Sequence, residues 1–100
     1  MIIEHAWLPV TPGREKEFIA SISTALAIIE GAPECGGAAV RQQIENPSTF
    51  LLIVQWTDVD AHMAFRASDL FEEWRSRTHH FYESTATVTH FTEEVGRPRH

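Results

Sequence analysis

Phe50-Leu-Leu-Ile-Val-Gln-Trp56 opens with five consecutive apolar residues and ends in a tryptophan. Branched and aromatic side chains in a run of this length predict a β-strand. Because no polar residue alternates with the apolar ones, we expect the strand to be covered on both faces. Helices on one side of a sheet cover only one face. The stretch therefore indicates that the second face is covered by the sheet of a partner subunit.

The residues before this stretch predict two further strands and a helix. Met1–Val10 is short and apolar and is followed by a turn-forming Thr11–Gly13 segment, which predicts a strand. We expect Thr11 to cap the helix that follows. Ala38–Ile44 is the next predicted strand, and Glu45–Ser48 is the turn that joins it to the apolar strand. The apolar stripe of the helix, which the Gly and Pro residues at 31–37 end, consists of Phe18, Ile22, Ala25, Leu26 and Ile29.

The residues after the stretch predict two helices and a last strand. Asp58 is placed to cap a short helix at Val59–Arg66, and Asp69 with Glu72 has the form of a second cap. Glu83–Glu93 is rich in Thr and Val and predicts a strand. The apolar positions of the second of these helices are Leu70, Phe71, Trp74, Thr78 and Phe81.

The predicted order is β-α-β-β-α-β, which is typical of α+β proteins with a ferredoxin-like fold. Such a domain has a four-stranded antiparallel sheet with its helices on one face. The chain has 100 residues, enough for one domain, which we place at residues 1–95 with a flexible tail at 96–100.

The composition limits the classes of partner and the cellular compartments that are expected for the protein. Eight basic and 14 acidic residues give a net charge of −6, which argues against nucleic acid as a partner. Cys35 is the single cysteine, so no intrachain disulfide can form. Neither a signal peptide nor an apolar run long enough to span a membrane is present in the sequence. We therefore expect a cytoplasmic protein that does not interact with membranes.

Several segments, in order along the chain, resemble the antibiotic biosynthesis monooxygenase (ABM) family of the dimeric α+β barrel superfamily. The resemblance covers about residues 2 to 93. Its segments are Thr11-Pro-Gly-Arg-Glu15, Glu30-Gly-Ala-Pro-Glu-Cys-Gly-Gly37, Leu51-Leu-Ile-Val-Gln-Trp56, Asp58 with Ala61-His62, Ser68-Asp-Leu-Phe-Glu-Glu-Trp74 and His79-His80-Phe81.

The resemblance implies a homodimer and one of two known chemistries. Some members oxidise anthrones to quinones with O2 and without metal or flavin. They keep the tryptophan at Trp56 but place an Asn at the position of Leu52 and a Tyr near His62. Others degrade haem with an Asn, a Trp and a His, where this chain has Ala6, Phe65 and Arg75. Haem degradation is therefore not expected.

His62 and His79 are the candidate catalytic residues. An imidazole has a pKa close to working pH and can deprotonate a phenol or an acidic C–H, after which the anion can pass an electron to O2. His79 is preferred to His80 because it continues the apolar stripe of its helix more closely. The residues expected to bind an aromatic and acidic substrate are Trp56, Phe65, Phe71, Trp74 and Arg75. Each also has a structural interpretation, as core packing or as a solvated helix position.

Three functions remain open at this point. The first is a cofactor-independent monooxygenase acting on a small planar aromatic, the second is a non-catalytic ligand-binding dimer, and the third is a His-based isomerase. No cofactor is expected, since Gly36-Gly37 lacks the context of a nucleotide-binding loop. A metal site built from Glu4, His62 and one of His79 or His80 is disfavoured by the absence of a His-x₃-His or Cys pair. We expect His90, on the last strand, to be structural.

Overall fold

The computed structural model describes residues 1–97 and has the predicted α+β architecture. Four antiparallel strands form one sheet in the order β2-β3-β1-β4. The predicted tail at 96–100 falls mostly outside the described residues. The elements are β1 (Ile2–Pro9), α1 (Glu15–Glu30), β2 (Cys35–Gln42), β3 (Thr49–Trp56), α2 (Val59–Arg66), α3 (Asp69–Thr78), a 3₁₀ turn (His79–Phe81) and β4 (Thr87–Phe91).

The side chains of the central strands β1 and β3 alternate between the two faces of the sheet. Successive side chains of a strand point to opposite sides, so Leu52 of β3 is buried while Leu51 is only half-buried. Leu52 lies opposite Ala6 of β1, and Leu51 lies opposite Trp7. We call the side of Ala6 and Leu52 the covered face, because the helices pack on it, and the side of Trp7 and Leu51 the open face. As predicted from their parity, Trp7 and His5 share a face opposite to Ala6.

The core lies between the covered face and the helices. From α1 it receives Phe18, Ala25 and Ile29, which follow one another at helical spacing on one side of the helix. Phe18 packs against Phe50 of β3 with ring centroids 4.8 Å apart. The apolar stripe predicted from the sequence therefore identified the buried face of α1.

The predicted start of α1 is wrong. Thr11 does not cap the helix, because the chain first makes a turn in which the Arg14 amide donates to the Thr11 carbonyl at 3.0 Å. Gly13 adopts a φ of 95°, which a side chain would disfavour. The helix begins at Glu15, whose carboxylate accepts from the Gly13 amide at 2.8 Å.

Four other element boundaries differ from the prediction. β2 begins at Cys35, so Gly36-Gly37 lie within a strand, where the register shifts between Cys35 and Gly37. Ser68 caps α3 in place of Asp69, since its hydroxyl accepts from the Phe71 amide. Phe81 lies in the 3₁₀ turn, and β4 is confined to Thr87–Phe91. By contrast, Asp58 caps α2 as predicted, accepting from the Ala61 amide at 2.8 Å.

Of the helices within residues 1–97, none has both the length and the apolar character needed to cross a bilayer.

Candidate functional site

A cavity of about 490 Å³ opens between the covered face and the helices. This volume lies within the roughly 300–1,000 Å³ typical of small-molecule sites. Strand β1 contributes Glu4, Ala6 and Leu8 to its floor, and Val88 comes from β4. The helices and the loop before β4 form the other walls with Ile29, His62, Phe65, Arg66, Phe71, Trp74, Arg75, His79, Tyr82, Glu83, Ser84, Thr85 and Ala86, while Leu52 of β3 completes the floor.

A buried carboxylate lies at the inner end of this cavity. Glu4 is only 5% exposed, because its position on β1 directs it to the covered face. Its Oε1 atom accepts a hydrogen bond of 2.9 Å from the indole Nε1–H of Trp56. The same oxygen lies 3.3 Å from Nε2 of His62. Both contacts reach one oxygen, and Oε2 has no hydrogen-bond partner within residues 1–97.

His62 links this carboxylate to β4. It lies on α2, is 3% exposed, and stacks on Trp56 with ring centroids 5.3 Å apart and planes inclined by 17°. Its Nδ1 atom is 2.8 Å from Nε2 of His90. His90 lies directly across the strand pair from Glu4, so one register places both residues beside His62. The three residues therefore form a continuous chain, which we call the Glu4–His62–His90 chain.

Burial shifts the pKa values of the first two members in opposite directions. Desolvation raises the pKa of Glu4 above 4.5, while the Trp56 hydrogen bond and the charge of Arg66 oppose the rise. Desolvation, aided by His90 and Arg66, lowers the pKa of His62 to about 4. His62 is therefore neutral at pH 7 and carries one ring proton. A proton on Nε2 is the arrangement that allows His62 to donate to an ionised Glu4 and to accept from His90.

The outer part of the cavity contains a second aromatic and cationic group of residues. His79 packs edge-on against Phe71, with ring centroids 6.0 Å apart, and lies 5.1 Å from the Tyr82 ring. Burial, together with the charges of Arg75 and Arg66, lowers the pKa of His79. Burial raises the pKa of the Tyr82 hydroxyl, and its interaction with the Thr78 side chain opposes the rise.

The structure gives a position for every site residue predicted from the sequence. His62, His79, Phe65, Phe71, Trp74 and Arg75 all line the cavity. His80 is exposed and is not part of the cavity lining; its ring lies 4.2 Å from that of Phe81. Trp56 is fully buried behind His62 and Glu4, so its indole supports the cavity wall from outside.

Sequence reasoning missed the Glu4–His62–His90 chain as a unit. Glu4 was considered only as one ligand of a disfavoured metal site, and His90 was expected to be structural. The alternation of β1 already paired Glu4 with Ala6 on one face. The register of β4 against β1, which puts His90 opposite Glu4, was the missing information.

A metal site needs three or more donor side chains that converge on one point. No three His, Cys, Asp or Glu side chains of this range come together in a way that could hold a metal ion. Glu4 and His62 do approach each other, but the His90 ring bonds to His62 and does not converge with Glu4 on a common point.

The fold and the cavity define a ferredoxin-like α+β domain with a buried acid–base pair. The sequence profile of the antibiotic biosynthesis monooxygenase family matches residues 1–77. A curated relative, the uncharacterized protein YczJ of Bacillus subtilis (strain 168), is 33% identical over 92 residues, which cover 91% of this chain and 97% of YczJ. The chain therefore belongs to the antibiotic biosynthesis monooxygenase family.

Solved structures agree with this assignment. A Bordetella bronchiseptica protein with the same family name is 36% identical, with a TM-score of 0.89, and the match covers 94% of this chain and 97% of that one. SnoaB, a cofactor-independent oxygenase from Streptomyces nogalater, has a TM-score of 0.79 at 19% identity, with 98% and 97% of the two chains covered. At that identity the likeness to SnoaB shows the fold.

Proposed function

We propose that this protein is a cofactor-independent monooxygenase that uses O2 to oxidise a small planar aromatic, similar to an anthrone or a phenol. The Glu4–His62 pair supplies the base function, and His79 supplies a hydrogen bond to the substrate. Phe65, Phe71 and Trp74 contact the ring system. Trp56 supports His62 from behind, and Arg75 orients an acidic group of the substrate.

The observation that carries this proposal is a buried Glu–His contact of 3.3 Å at the end of an aromatic-walled cavity. A base works best when its pKa lies near working pH, and burial moves the pKa of Glu4 in that direction. The apolar walls exclude water from a reactive anion. Membership of the monooxygenase family and the fold shared with the oxygenase SnoaB support the same reaction class.

The reaction needs no electron donor other than its substrate. Removal of a C–H or O–H proton leaves the electron pair on the substrate as a carbanion or phenolate. One electron passes to O2, and the resulting radical pair combines to form a C–O bond. Loss of water from the peroxide leaves a carbonyl, so that one oxygen atom enters the product and the other becomes water.

Oxygen uptake tests the proposal. We expect metal-free protein to consume O2 in the presence of a member of a panel of anthrones and polyphenols, with formation of the quinone. His62→Gln should lower kcat by about 100-fold, the lower end of what a positioned base contributes. His80→Gln, which alters an exposed ring outside the cavity lining, should retain wild-type turnover. Wild-type turnover in His62→Gln would contradict the assigned role.

The same proposal includes a homodimer, located in the cytoplasm, that pairs through the open face. Trp7 is 41% exposed and Phe91 is 51% exposed on that face, beside the half-buried Leu51 and Ile53. Apolar surface of this kind favours association. Sedimentation equilibrium should give twice the chain mass of 11.3 kDa for the wild type, and a lower mass for Trp7→Glu. A monomeric wild type would overturn this part of the proposal.

An isomerase is the second candidate, and the Glu4–His62 contact favours it as well. A buried carboxylate beside a neutral imidazole can move a proton between two substrate positions without oxygen. Turnover that continues at an unchanged rate under argon would favour the isomerase. Tight binding of an aromatic with neither oxygen uptake nor proton exchange would leave the protein as a ligand-binding dimer.

A further inference from the structure

The contacts within the Glu4–His62–His90 chain indicate which of its atoms can accept a proton. Both ring nitrogens of His62 already have partners, Nε2 at 3.3 Å from Glu4 and Nδ1 at 2.8 Å from His90. Because Nε2 faces the carboxylate, the single proton of the neutral ring is placed there, and Nδ1 accepts from His90. An imidazole in this state has no free lone pair to take a substrate proton. The proton-accepting atom is therefore one that belongs to another member of the Glu4–His62–His90 chain.

Glu4 has the atom that remains available. Its Oε1 accepts from Trp56 and lies beside His62, whereas Oε2 has no hydrogen-bond partner within residues 1–97. Oε2 is not fully enclosed by the protein, so it keeps access to the cavity that Glu4 lines. A carboxylate with one oxygen anchored and the other open is oriented for proton transfer.

We propose that Oε2 of Glu4 is the atom that accepts the substrate proton, and that His62 and His90 are positioning residues for it. The inference rests on the proposed function, because it takes the substrate to be an acidic C–H or O–H compound held in the cavity. The bond from the substrate carbon or oxygen to hydrogen breaks, the Oε2–H bond forms, and the electron pair stays on the substrate. The negative charge moves from Glu4 to the substrate anion.

The surroundings of Glu4 fit this transfer. His62 and Trp56 hold Oε1 in place, and His90 holds the His62 proton on the nitrogen that faces Glu4. Arg66 also lines the cavity and has no ion pair within the described residues. Its charge is therefore free to stabilise the anion that forms when Glu4 becomes neutral.

Hydrogen exchange without oxygen tests the assignment separately from oxidation. Anthrone in D2O under argon is the probe, and the loss of its acidic C–H signal is followed by proton NMR. We expect the wild type to accelerate this exchange and Glu4→Gln to lower the enzymatic rate by about 100-fold or more. Binding of anthrone, measured by tryptophan fluorescence, should change by no more than about threefold, since the amide oxygen still accepts from Trp56.

Four further variants complete the test. Glu73→Gln removes a carboxylate that is exposed and outside the cavity, and should exchange at the wild-type rate. Glu4→Asp keeps a carboxylate but withdraws it by one methylene, and should retain more activity than Glu4→Gln. It also provides the test if Glu4→Gln does not fold. His90→Gln can still donate to His62, and should therefore recover most of the rate that His90→Ala loses.

The outcomes separate this inference from the function on which it rests. Wild-type exchange rates in both Glu4→Gln and Glu4→Asp would overturn the role of Glu4 and leave the monooxygenase proposal standing. Oxygen uptake by the wild type without any anaerobic exchange would do the same. A wild type that neither exchanges nor oxidises any compound of the panel would overturn both.

Discussion

Leu51 and Leu52 are neighbours of the same residue type, yet they belong to opposite sides of the sheet. Leu52 is buried against the helices and lines the cavity, while Leu51 is half-buried beside the exposed Trp7 on the open face. The covered face also contains a carboxylate, whereas the open face combines the apolar Trp7 and Leu51 with polar residues such as His5, and no helix covers it. One face of the sheet therefore lines a cavity, and the other leaves large apolar side chains exposed.

The largest expected effect on stability that tests this difference between the faces is the truncation of the covered-face leucine. Leu52→Ala should lower the free energy of unfolding by about 2–5 kcal/mol, because it removes buried methylenes next to the cavity. Leu51→Ala should lower the free energy of unfolding by less than Leu52→Ala does. Urea unfolding measures both. If Leu51 packs against a partner subunit, its cost alone will rise with protein concentration. Equal costs at every concentration would contradict the distinction between the faces.

The buried histidine predicts a smaller effect that depends on pH. The pKa of His62 is about 4 in the fold and 6.5 ordinarily, so between these values the unfolded chain binds a proton that the folded chain does not. Stability should therefore fall as the pH drops from 6.5, by on the order of 1 kcal/mol at pH 5 after allowance for screening by solvent in the cavity. His62→Gln should lose less over this interval.

The neighbours of His62 determine how this measurement is controlled. Glu4, His90 and Arg66 face the ring, and the raised pKa of Glu4 acts in the opposite sense, lowering stability as the pH rises above 4.5. Unfolding in urea at pH 7 and pH 5 should therefore be repeated in Glu4→Gln, where the effect of His62 should be larger. The exposed His80 serves as the control, and His80→Gln should follow the wild type.

The smallest effect concerns the start of α3, beside the cavity. Ser68→Ala should cost about 1 kcal/mol, since it removes the hydroxyl that accepts from the Phe71 amide. Asp69→Ala should cost at most about 0.5 kcal/mol, the usual limit for a surface position away from such a contact. Thermal unfolding of the two variants measures the difference. A larger loss of stability in Asp69→Ala than in Ser68→Ala would indicate that Asp69 caps the helix, as the sequence predicted.

The sequence was most informative where periodicity decides the structure. The stripe of Phe18, Ala25 and Ile29 and the apolar run at Phe50–Trp56 predicted the fold correctly, because burial dominates both. Boundaries were less certain, since turns compete locally with helix caps, as at Thr11, where a turn replaced the first part of the predicted helix.

The candidate site was only partly predictable for a different reason. His62 and His79 were identified from their positions on helices, and both line the cavity. The partnership of Glu4 with His62 and His90 depends on strand register, which brings together residues far apart in the chain. A single sequence carries little information on register, because every slip by two residues preserves the pattern of alternation.

The most direct test of the central claim is a labelling experiment with ¹⁸O2. Metal-free protein is supplied with the anthrone or polyphenol that supports oxygen uptake, and the product is examined by mass spectrometry. We predict that one ¹⁸O atom enters each carbonyl formed and that one O2 is consumed per product. A product without label, or conversion at an unchanged rate under argon, would contradict a monooxygenase.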